Sequence, residues 1–562
     1  MTSDMSFVCG ADTPPLLEET IGAALESAAK AWPEREAIVA CESGTRMTYA
    51  ELNARASEFA AGLLSLGMQP GERIGVWSPN CAEWAIVQYA AAKAGMILVN
   101  INPAYRKHEL EFALNKAGCT ALVTASQFKS SNYLEMLCEL APELCGKSEN
   151  LTAKRLPVLK WVIGIDGSDL CAILPFDAIA AHARDTDRHA LREISSRLKP
   201  DSAVNIQFTS GTTGSPKGAT LTHRNLLNNG FFVGEAIRMG VSDRICIPVP
   251  LYHCFGMGMG NLNCLKHGAT AIYPSRGFDA LATLQCVENE ACTALYGVPT
   301  MFIAMLDHPR FNDFNLSSLR GGIMAGSPCP IAIMQRVVNE MHMSEVTIAY
   351  GMTETSPVSF QSSVNDSLEL RVSTVGRIQP HLEVKLIDTD GKIVPRGVSG
   401  ELCTRGYSVM QGYWGDQTRT AEVLDNEGWM HTGDLAVIDA QGYCNIVGRI
   451  KDMIIRGGEN IYPREVEEFL FKHAKVQGVA CFGVPDARFG EEVCVWIQLR
   501  AGAAETPDDF REFCQGEIAH YKIPRYIELV DEFPMTVTGK IQKFIMRDIM
   551  IERLGLKIEA TA

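Results

Sequence analysis

The densest run of chemically useful residues is Thr209-Ser210-Gly211-Thr212-Thr213-Gly214-Ser215-Pro216-Lys217-Gly218. It follows an apolar stretch, 204–208, that reads as a buried strand. Its glycines let the backbone turn so that successive N–H groups face one anion. The hydroxyls add donors and Lys217 adds a positive charge, a combination suited to a polyphosphate. A P-loop would need Gly, four residues, then Gly-Lys-Ser/Thr. Here Lys217 follows Pro216 and precedes Gly218, so that pattern fails. A solvated linker of the same composition would not be expected between a buried strand and a second apolar segment.

Other reactive side chains are less telling taken singly. Glu354 lies between Thr353 and Thr355 just after an apolar run. Such a carboxylate is usually solvated, but beside a triphosphate it can hold Mg²⁺, which prefers oxygen ligands. Asp434 sits in a Thr432-Gly433-Asp434 turn, where an aspartate often only caps its own backbone. Tyr350 offers an aromatic face, and by type alone it is as easily a packing residue. Lys540, after Thr538-Gly539, reads on its own as a solvated lysine. His253 and Cys254 invite a nucleophile reading, but neighbours in an extended chain point to opposite faces and make a poor dyad.

The elements that must carry these residues alternate. A short strand is expected at 73–77, a helix at 81–94 with Trp84, Val87 and Ala91 on one face, and a strand at 97–101. Strand, helix, strand in so short a span predicts a βαβ unit and a parallel sheet. Apolar runs at 246–249 and 346–349 extend that texture, and ligands of open α/β sheets bind at the carboxyl ends of strands. After Arg377 the pattern becomes β-rich: a strand at 382–388 closing on Asp390-Gly391, then strands at 401–406 and 435–449. Beyond it, helices at 464–473, 508–518 and 542–551 and strands at 477–484, 492–500 and 526–530 predict a compact α+β unit. The expected organisation is a large domain at 1–448 with parallel-sheet α/β layers and a β-rich subdomain. A hinge at 449–452 and a small mobile α+β domain at 453–562 follow.

The loop at 209–218 resembles the phosphate signature of the adenylate-forming superfamily, which holds acyl-CoA synthetases, peptide-synthetase adenylation domains and luciferases. The resemblance runs along nearly the whole chain. It continues through Leu251-Tyr252-His253, Ala325-Gly326-Ser327-Pro328, Tyr350-Gly351-Met352-Thr353-Glu354, Gly400-Glu401-Leu402 and Thr432-Gly433-Asp434. Gly448-Arg449, Gly457-Gly458-Glu459-Asn460-Ile461-Tyr462-Pro463 and Thr538-Gly539-Lys540 complete it. The wording is most similar to the medium-chain acyl-CoA synthetase branch.

The resemblance implies ATP, Mg²⁺ and coenzyme A as cofactors, and an acyl-AMP intermediate. It implies that the 209–214 loop and Lys217 bind phosphates, that Glu354 and Thr209 serve Mg²⁺, and that Tyr350, Gly351, Met352 and Thr353 with Gly326 and Ser327 surround adenine. Asp434 and Arg449 are implied at the ribose, and Lys540 as the lysine of the adenylation step. His253 stands where the family has an aromatic gate between acyl pocket and CoA tunnel. Gly457, Gly458 and Glu459 are implied to guide CoA after the small domain swivels about Lys451. Most relatives carry Asp at that hinge position, so its electrostatics differ here. The run Arg449, Lys451, Arg456 and Arg464 reads as attraction for nucleotide and CoA phosphates.

The acyl pocket is expected among Phe255, Met257, Met259, Tyr296, Val298, Met301 and Met352. No charge stands among them, which favours an aliphatic monoacid. The function expected is an AMP-forming acyl-CoA synthetase acting on a medium-chain fatty acid. An adenylating enzyme that loads a carrier protein, an aromatic-acid CoA ligase and a non-catalytic sensor are the alternatives.

Composition bounds the partners. The 562 residues are 46% hydrophobic and 21% charged, as in globular proteins, and predict several folding units. With 51 basic against 66 acidic residues the formal charge is −15, which disfavours nucleic acid. The 18 cysteines show no CxxC spacing and complete no zinc pattern; reduced thiols in a cytoplasmic enzyme are expected. Neither a presequence nor an integral membrane segment, which takes about 20 apolar residues, is expected. The partners expected are a small carboxylic acid, ATP and CoA, with a homodimer as the candidate assembly.

Overall fold

The computed structural model describes residues 4–145, 152–166, 172–209, 216–327, 329–457, 459–486, 488–536 and 540–556. Two large sheets dominate the first four hundred residues. One has eight strands. Its centre is the parallel set Arg73–Trp77, Ile97–Asn100 and Cys119–Thr124; toward one edge comes the antiparallel hairpin Ala203–Thr209 and Lys217–Thr222, with the short strand Gly412–Tyr413 outermost. The other has nine strands, including the parallel neighbours Arg244–Cys246, Ala294–Gly297, Gly321–Ala325 and Glu345–Gly351.

The predicted βαβ unit is present, but its helix differs from expectation. Ala82–Lys93 is buried on every side rather than along one stripe. It touches strands of both sheets, so no face is left for water. Its alanines allow that close approach, and one apolar cluster runs through the helix and both sheets. The predicted strand at 246–249 is observed as Arg244–Cys246, and Ile247 onward leaves the ladder toward His253.

A five-stranded antiparallel sheet follows. The predicted strand at 435–449 is two strands, Met430–Ile438 and Cys444–Arg449, joined by a turn at Gly442. This sheet also takes Phe7–Cys9 against Leu382–Ile387. Arg449 ends its last strand.

The C-terminal unit begins with Ile454–Arg456. Its sheet centres on the long hairpin Val476–Asp486 and Gly490–Leu499, with Tyr526–Val530 parallel to the second strand. Helices Pro463–Leu470, Pro507–Cys514 and Lys543–Leu554 flank it, and the unit has its own apolar clusters. The fold is α/β with a separate C-terminal domain. No helix among the described residues is long and apolar enough to cross a membrane.

Candidate active site

The hairpin Ala203–Thr209 and Lys217–Thr222 sets the frame. Thr209 and Lys217 are the last paired residues before the segment that connects its two strands, and the Thr209 hydroxyl points to the Lys217 carbonyl at 3.4 Å. Ser210, Gly211, Thr212, Thr213 and Gly214 lie outside the described residues. Lys217 starts a strand, and its Nζ sits 5.0 Å from the centroid of the Tyr413 ring. Beside it a cavity of about 210 Å³ is lined by Lys116, Lys217, Trp414 and Arg419 among others, so cations outnumber the one carboxylate there, Asp416.

Tyr413 joins this lysine to the next motif. Its hydroxyl donates to Glu354 Oε1 at 2.8 Å. Glu354 is 6% exposed, and it lies in the single turn Thr353–Thr355 that follows strand Glu345–Gly351. Gly351 is required there, since a Cβ would come within 1.7 Å of the Pro357 carbonyl. The Met352 N–H donates to that same carbonyl at 3.0 Å, closing the turn that carries Glu354. Thr353 is buried with Glu354.

Tyr350, on the same strand, donates its hydroxyl to Asp434 Oδ2 at 2.5 Å. Arg449 Nε donates to Asp434 Oδ1 at 3.0 Å from the facing strand. Asp434 is itself buried. A carboxylate has about four lone-pair sites. Tyr350 and Arg449 take one on each oxygen, which leaves each oxygen one more donor to accept. Burial and the Asp434 charge lift the Tyr350 hydroxyl well above the usual phenol range, so it stays a donor. Asp434 chiefly raises the Arg449 pKa further. The turn before Asp434 is held by Glu401, whose Oε1 accepts from the Gly433 N–H at 3.3 Å, while Oε2 meets His431 Nδ1 at 3.2 Å.

Gly326 and Ser327 directly follow strand Gly321–Ala325, which is parallel to and beside the Tyr350 strand. Gly326 has φ of +91° and is exposed. His253 directly precedes the short helix Cys254–Gly256. It accepts the Phe255 N–H at Nδ1 and caps a short helical turn. Burial, then the charge of Lys540, push its pKa down to about 3, so it is neutral. Cys254 turns away to Gln207 Oε1 at 3.1 Å, and burial pushes its thiol up to about 12. The two side chains therefore form no dyad, as expected.

Lys540 comes from the C-terminal unit. Its backbone carbonyl accepts from the Thr536 N–H at 2.7 Å, and its own N–H donates to the Thr536 hydroxyl at 3.0 Å. Its ammonium lies within electrostatic reach of Arg449, Asp434, Glu354 and His253, all in the preceding part of the chain. Protein crowds it on most sides, yet solvent reaches it along the cleft. Crowding and then Arg449 lower its pKa from 10.5, and the two carboxylates partly restore it. The C-terminal unit also touches the strand that ends at Arg449, through Arg464 Nη1 donating to the Ile446 carbonyl at 2.6 Å.

The remaining expected residues are placed apart from this centre. Lys451 is exposed in the turn after Arg449, where the Asp452 and Met453 N–H groups both donate to the Arg449 carbonyl. Gly457, with φ of +61°, and Glu459 belong to the hairpin of strands Ile454–Arg456 and Glu459–Ile461; Gly458 lies outside the described residues. The basic run is mostly paired: Arg449 with Asp434, Arg456 with Glu492, Arg464 with Glu468. That pairing cuts its long-range pull on anions.

Of the acyl candidates, Phe255, Met257, Met259, Tyr296, Val298 and Met301 are buried and Met352 half-buried. Tyr296 and Phe255 have ring centroids 5.6 Å apart, and the Tyr296 hydroxyl accepts from Asn263. Residues Met257–Leu262 form a π-helix, a form that recurs at functional sites.

Tyr413 is a site residue that sequence reasoning missed, and Glu401, quoted in the Gly400-Glu401-Leu402 motif, is given no role by the sequence. Tyr413 enters through a two-residue strand, Gly412–Tyr413, paired with Ala219 and Thr220. Nothing local in Gly412-Tyr413-Trp414 announces that pairing.

Known proteins resemble this chain along most of its length. A family model described as AMP-binding enzyme matches residues 25–414, and one described as AMP-binding enzyme C-terminal domain matches 465–540. The chain is 46% identical to the putative acyl-CoA synthetase YngI of Bacillus subtilis, over 96% of this chain and 99% of that one. It is 46% identical to the mitochondrial medium-chain acyl-CoA ligase ACSF2 of Danio rerio, over 99% of this chain and 92% of that one. Among solved structures, anthranilate CoA ligase AuaEII in complex with anthranoyl-AMP superposes with a TM-score of 0.83 at 25% identity, covering 96% of this chain and 99% of that one. The chain belongs to the AMP-binding enzyme family.

Proposed function

We propose that this protein is an AMP-forming acyl-CoA synthetase for a medium-chain fatty acid. The observation that carries the reading is the convergence of Lys540, from the C-terminal unit, on Asp434, Arg449, Glu354 and His253. An ammonium from one unit at a carboxylate-and-arginine site of the other suits a reaction that runs only when the two are closed.

In the first half-reaction the substrate carboxylate attacks the α-phosphate of ATP, and pyrophosphate leaves. Asp434 accepts the ribose hydroxyls on its two free positions, and Tyr350, Gly326, Ser327 and Gly351–Thr353 flank the base. Lys217 and the 209–214 loop hold the phosphates, with the cations lining the adjoining cavity. Lys540 offsets the charge that develops on the α-phosphate and the attacking oxygen. The oxygen donors Glu354 and Thr209 fit Mg²⁺, which when bound neutralises charge on the leaving pyrophosphate. Tyr413 fixes Glu354 for that task.

In the second half-reaction the small unit turns about a hinge at 449–452. That placement is supported by the end of one sheet at Arg449 and the start of the next at Ile454. Gly457–Glu459 then face the acyl side, the CoA thiol attacks the mixed anhydride, and AMP leaves. His253, neutral and half-buried, gates that path. The apolar, charge-free residues around Phe255 and Met257 support an aliphatic monoacid.

The test is pyrophosphate release from ATP·Mg²⁺ with straight-chain acids from acetate to palmitate and with benzoate, with and without CoA. Turnover that requires CoA and peaks at a medium-chain acid is expected. Sustained release indifferent to CoA would point to another acyl acceptor, and a peak at benzoate to an aromatic substrate.

A further inference from the structure

The cysteines that look scattered along the sequence are gathered in space. Cys246 ends strand Arg244–Cys246, Cys286 lies on helix Ala280–Asn289, and Cys292 follows that helix. Their three sulfurs lie within 4.8 Å of one another, and all three residues are buried. The Cys246 and Cys286 sulfurs are 3.8 Å apart. Cys41, half-buried after strand Glu36–Ala40, adds a fourth sulfur 3.6 Å from that of Cys286. Buried cysteine often packs as a small hydrophobe. Packing alone does not call for four sulfurs from separate segments to meet one another rather than carbon.

The spacing matches metal–thiolate geometry. With metal–sulfur bonds of about 2.3 Å, a trigonal set has sulfur–sulfur edges of about 4.0 Å. Structural zinc is almost always four-coordinate and closed. Cys41 touches Cys286 but does not join the mutual group of three, so a tetrahedron is not in place. Three soft thiolates around a low-coordinate centre suit Cu(I). Arg46 and Arg244, both paired with Glu36 and Glu290, adjoin the cluster and keep its rim charge-balanced.

We propose that Cys246, Cys286 and Cys292 form a trigonal thiolate site for a soft monovalent cation, Cu(I), with Cys41 as the half-exposed sulfur through which the ion enters. Binding replaces three S–H protons by three copper–sulfur bonds and releases three protons. No electron is transferred. The site is independent of the acyl-activating reaction.

The test uses the full-length protein, reduced and stripped of metal, titrated anaerobically with Cu(I) against a colorimetric Cu(I) chelator, with copper per chain measured by elemental analysis. One tightly held Cu(I) per chain is expected. Affinity should fall at least about tenfold in Cys246→Ser and in Cys286→Ser and stay unchanged in Cys119→Ser, a buried cysteine outside the cluster. Thermal melting of each metal-free variant establishes that it folds. In the unsubstituted protein, uptake of Cu(I) should also release about three protons per copper in weakly buffered solution, a readout that needs no variant. Failure to take up one equivalent, uptake untouched by both cluster substitutions, or tighter uptake of Zn²⁺ than of Cu(I) would each overturn the assignment.

Discussion

Replacing Asp434 by Asn isolates the carboxylate charge while keeping shape. In the structure Asp434 receives Tyr350 at 2.5 Å on one oxygen and Arg449 at 3.0 Å on the other. The carboxylate then has room for one further donor per oxygen, matching a ribose 2′,3′-diol. An amide has a single acceptor oxygen, already claimed by Tyr350 or Arg449. At least one charge-assisted hydrogen bond to ATP is therefore lost, each worth about 1.5–3 kcal/mol. At about 1.4 kcal/mol per decade, KM for ATP should rise roughly 10- to 100-fold. Fold stability should suffer less. The Arg449 side chain is 57% exposed, so its pairing contributes about 1 kcal/mol or less after screening. The Tyr350 hydroxyl keeps a neutral acceptor. The assay is initial-rate pyrophosphate release against ATP, repeated with 2′-deoxy- and 3′-deoxy-ATP, beside urea unfolding. The unsubstituted protein should discriminate against both deoxy nucleotides and Asp434→Asn should discriminate less. A folded variant with unchanged KM for ATP and undiminished discrimination would refute the ribose assignment.

Three further outcomes follow from the same geometry. Lys540 must be charged to offset developing negative charge, and crowding and Arg449 lower its pKa, so kcat/KM for adenylation should fall on an alkaline limb below pH 10.5. Lys540→Arg should move that limb upward, and a limb that ignores the substitution would assign it to another group. Tyr413→Phe removes the donor that fixes Glu354 but keeps the ring beside Lys217, so half-saturating Mg²⁺ should rise about 10- to 100-fold, as for other residues that orient metal ligands. An unchanged Mg²⁺ requirement would separate Tyr413 from metal binding. At Gly258 a Cβ would have no neighbour closer than 3.9 Å, whereas at Gly256 it would meet the Pro250 carbonyl at 2.4 Å. Gly258→Val should fold and shift the preferred acid to shorter chains, with kcat/KM for the original optimum down about tenfold; an unshifted profile would place the acyl chain elsewhere.

The parts of the molecule legible in the sequence are those specified locally. The βαβ signal at 73–101 needed only short apolar runs and the Ser78-Pro79-Asn80 break, and the parallel pair Arg73–Trp77 and Ile97–Asn100 is there. Asp390-Gly391 closes a turn, with Gly391 at φ of +78° and its N–H on the Asp388 carbonyl. What stayed hidden depends on distant pairing. Phe7–Cys9 is unremarkable until it meets Leu382–Ile387. The helix at 82–93 looks one-sided because periodicity records a stripe, whereas its burial is decided by two sheets that converge on it.

The site divides the same way. Tyr350, Glu354, Asp434, Arg449 and Lys540 stand in motifs with a family resemblance, and the structure brings them to one cleft. Tyr413 and Glu401 act on Glu354 and Gly433 from other segments. The cysteine cluster shows the limit most plainly. Spacing rules test neighbours in sequence, whereas Cys41 follows one strand, Cys246 ends another, and Cys286 and Cys292 lie on and just after a helix.

The central claim is that Lys540 serves the adenylation step in the closed arrangement and leaves the site for thioester formation. The most direct measurement is single-turnover kinetics of Lys540→Ala, in parallel for acyl-AMP formation from acid and ATP and for acyl-CoA formation from pre-made acyl-AMP and CoA. Acyl-AMP formation should fall by at least about 10²–10³, the scale for losing one transition-state donor, while thioester formation stays near the unsubstituted rate. An equal loss in both half-reactions, or a spared adenylation, would contradict it.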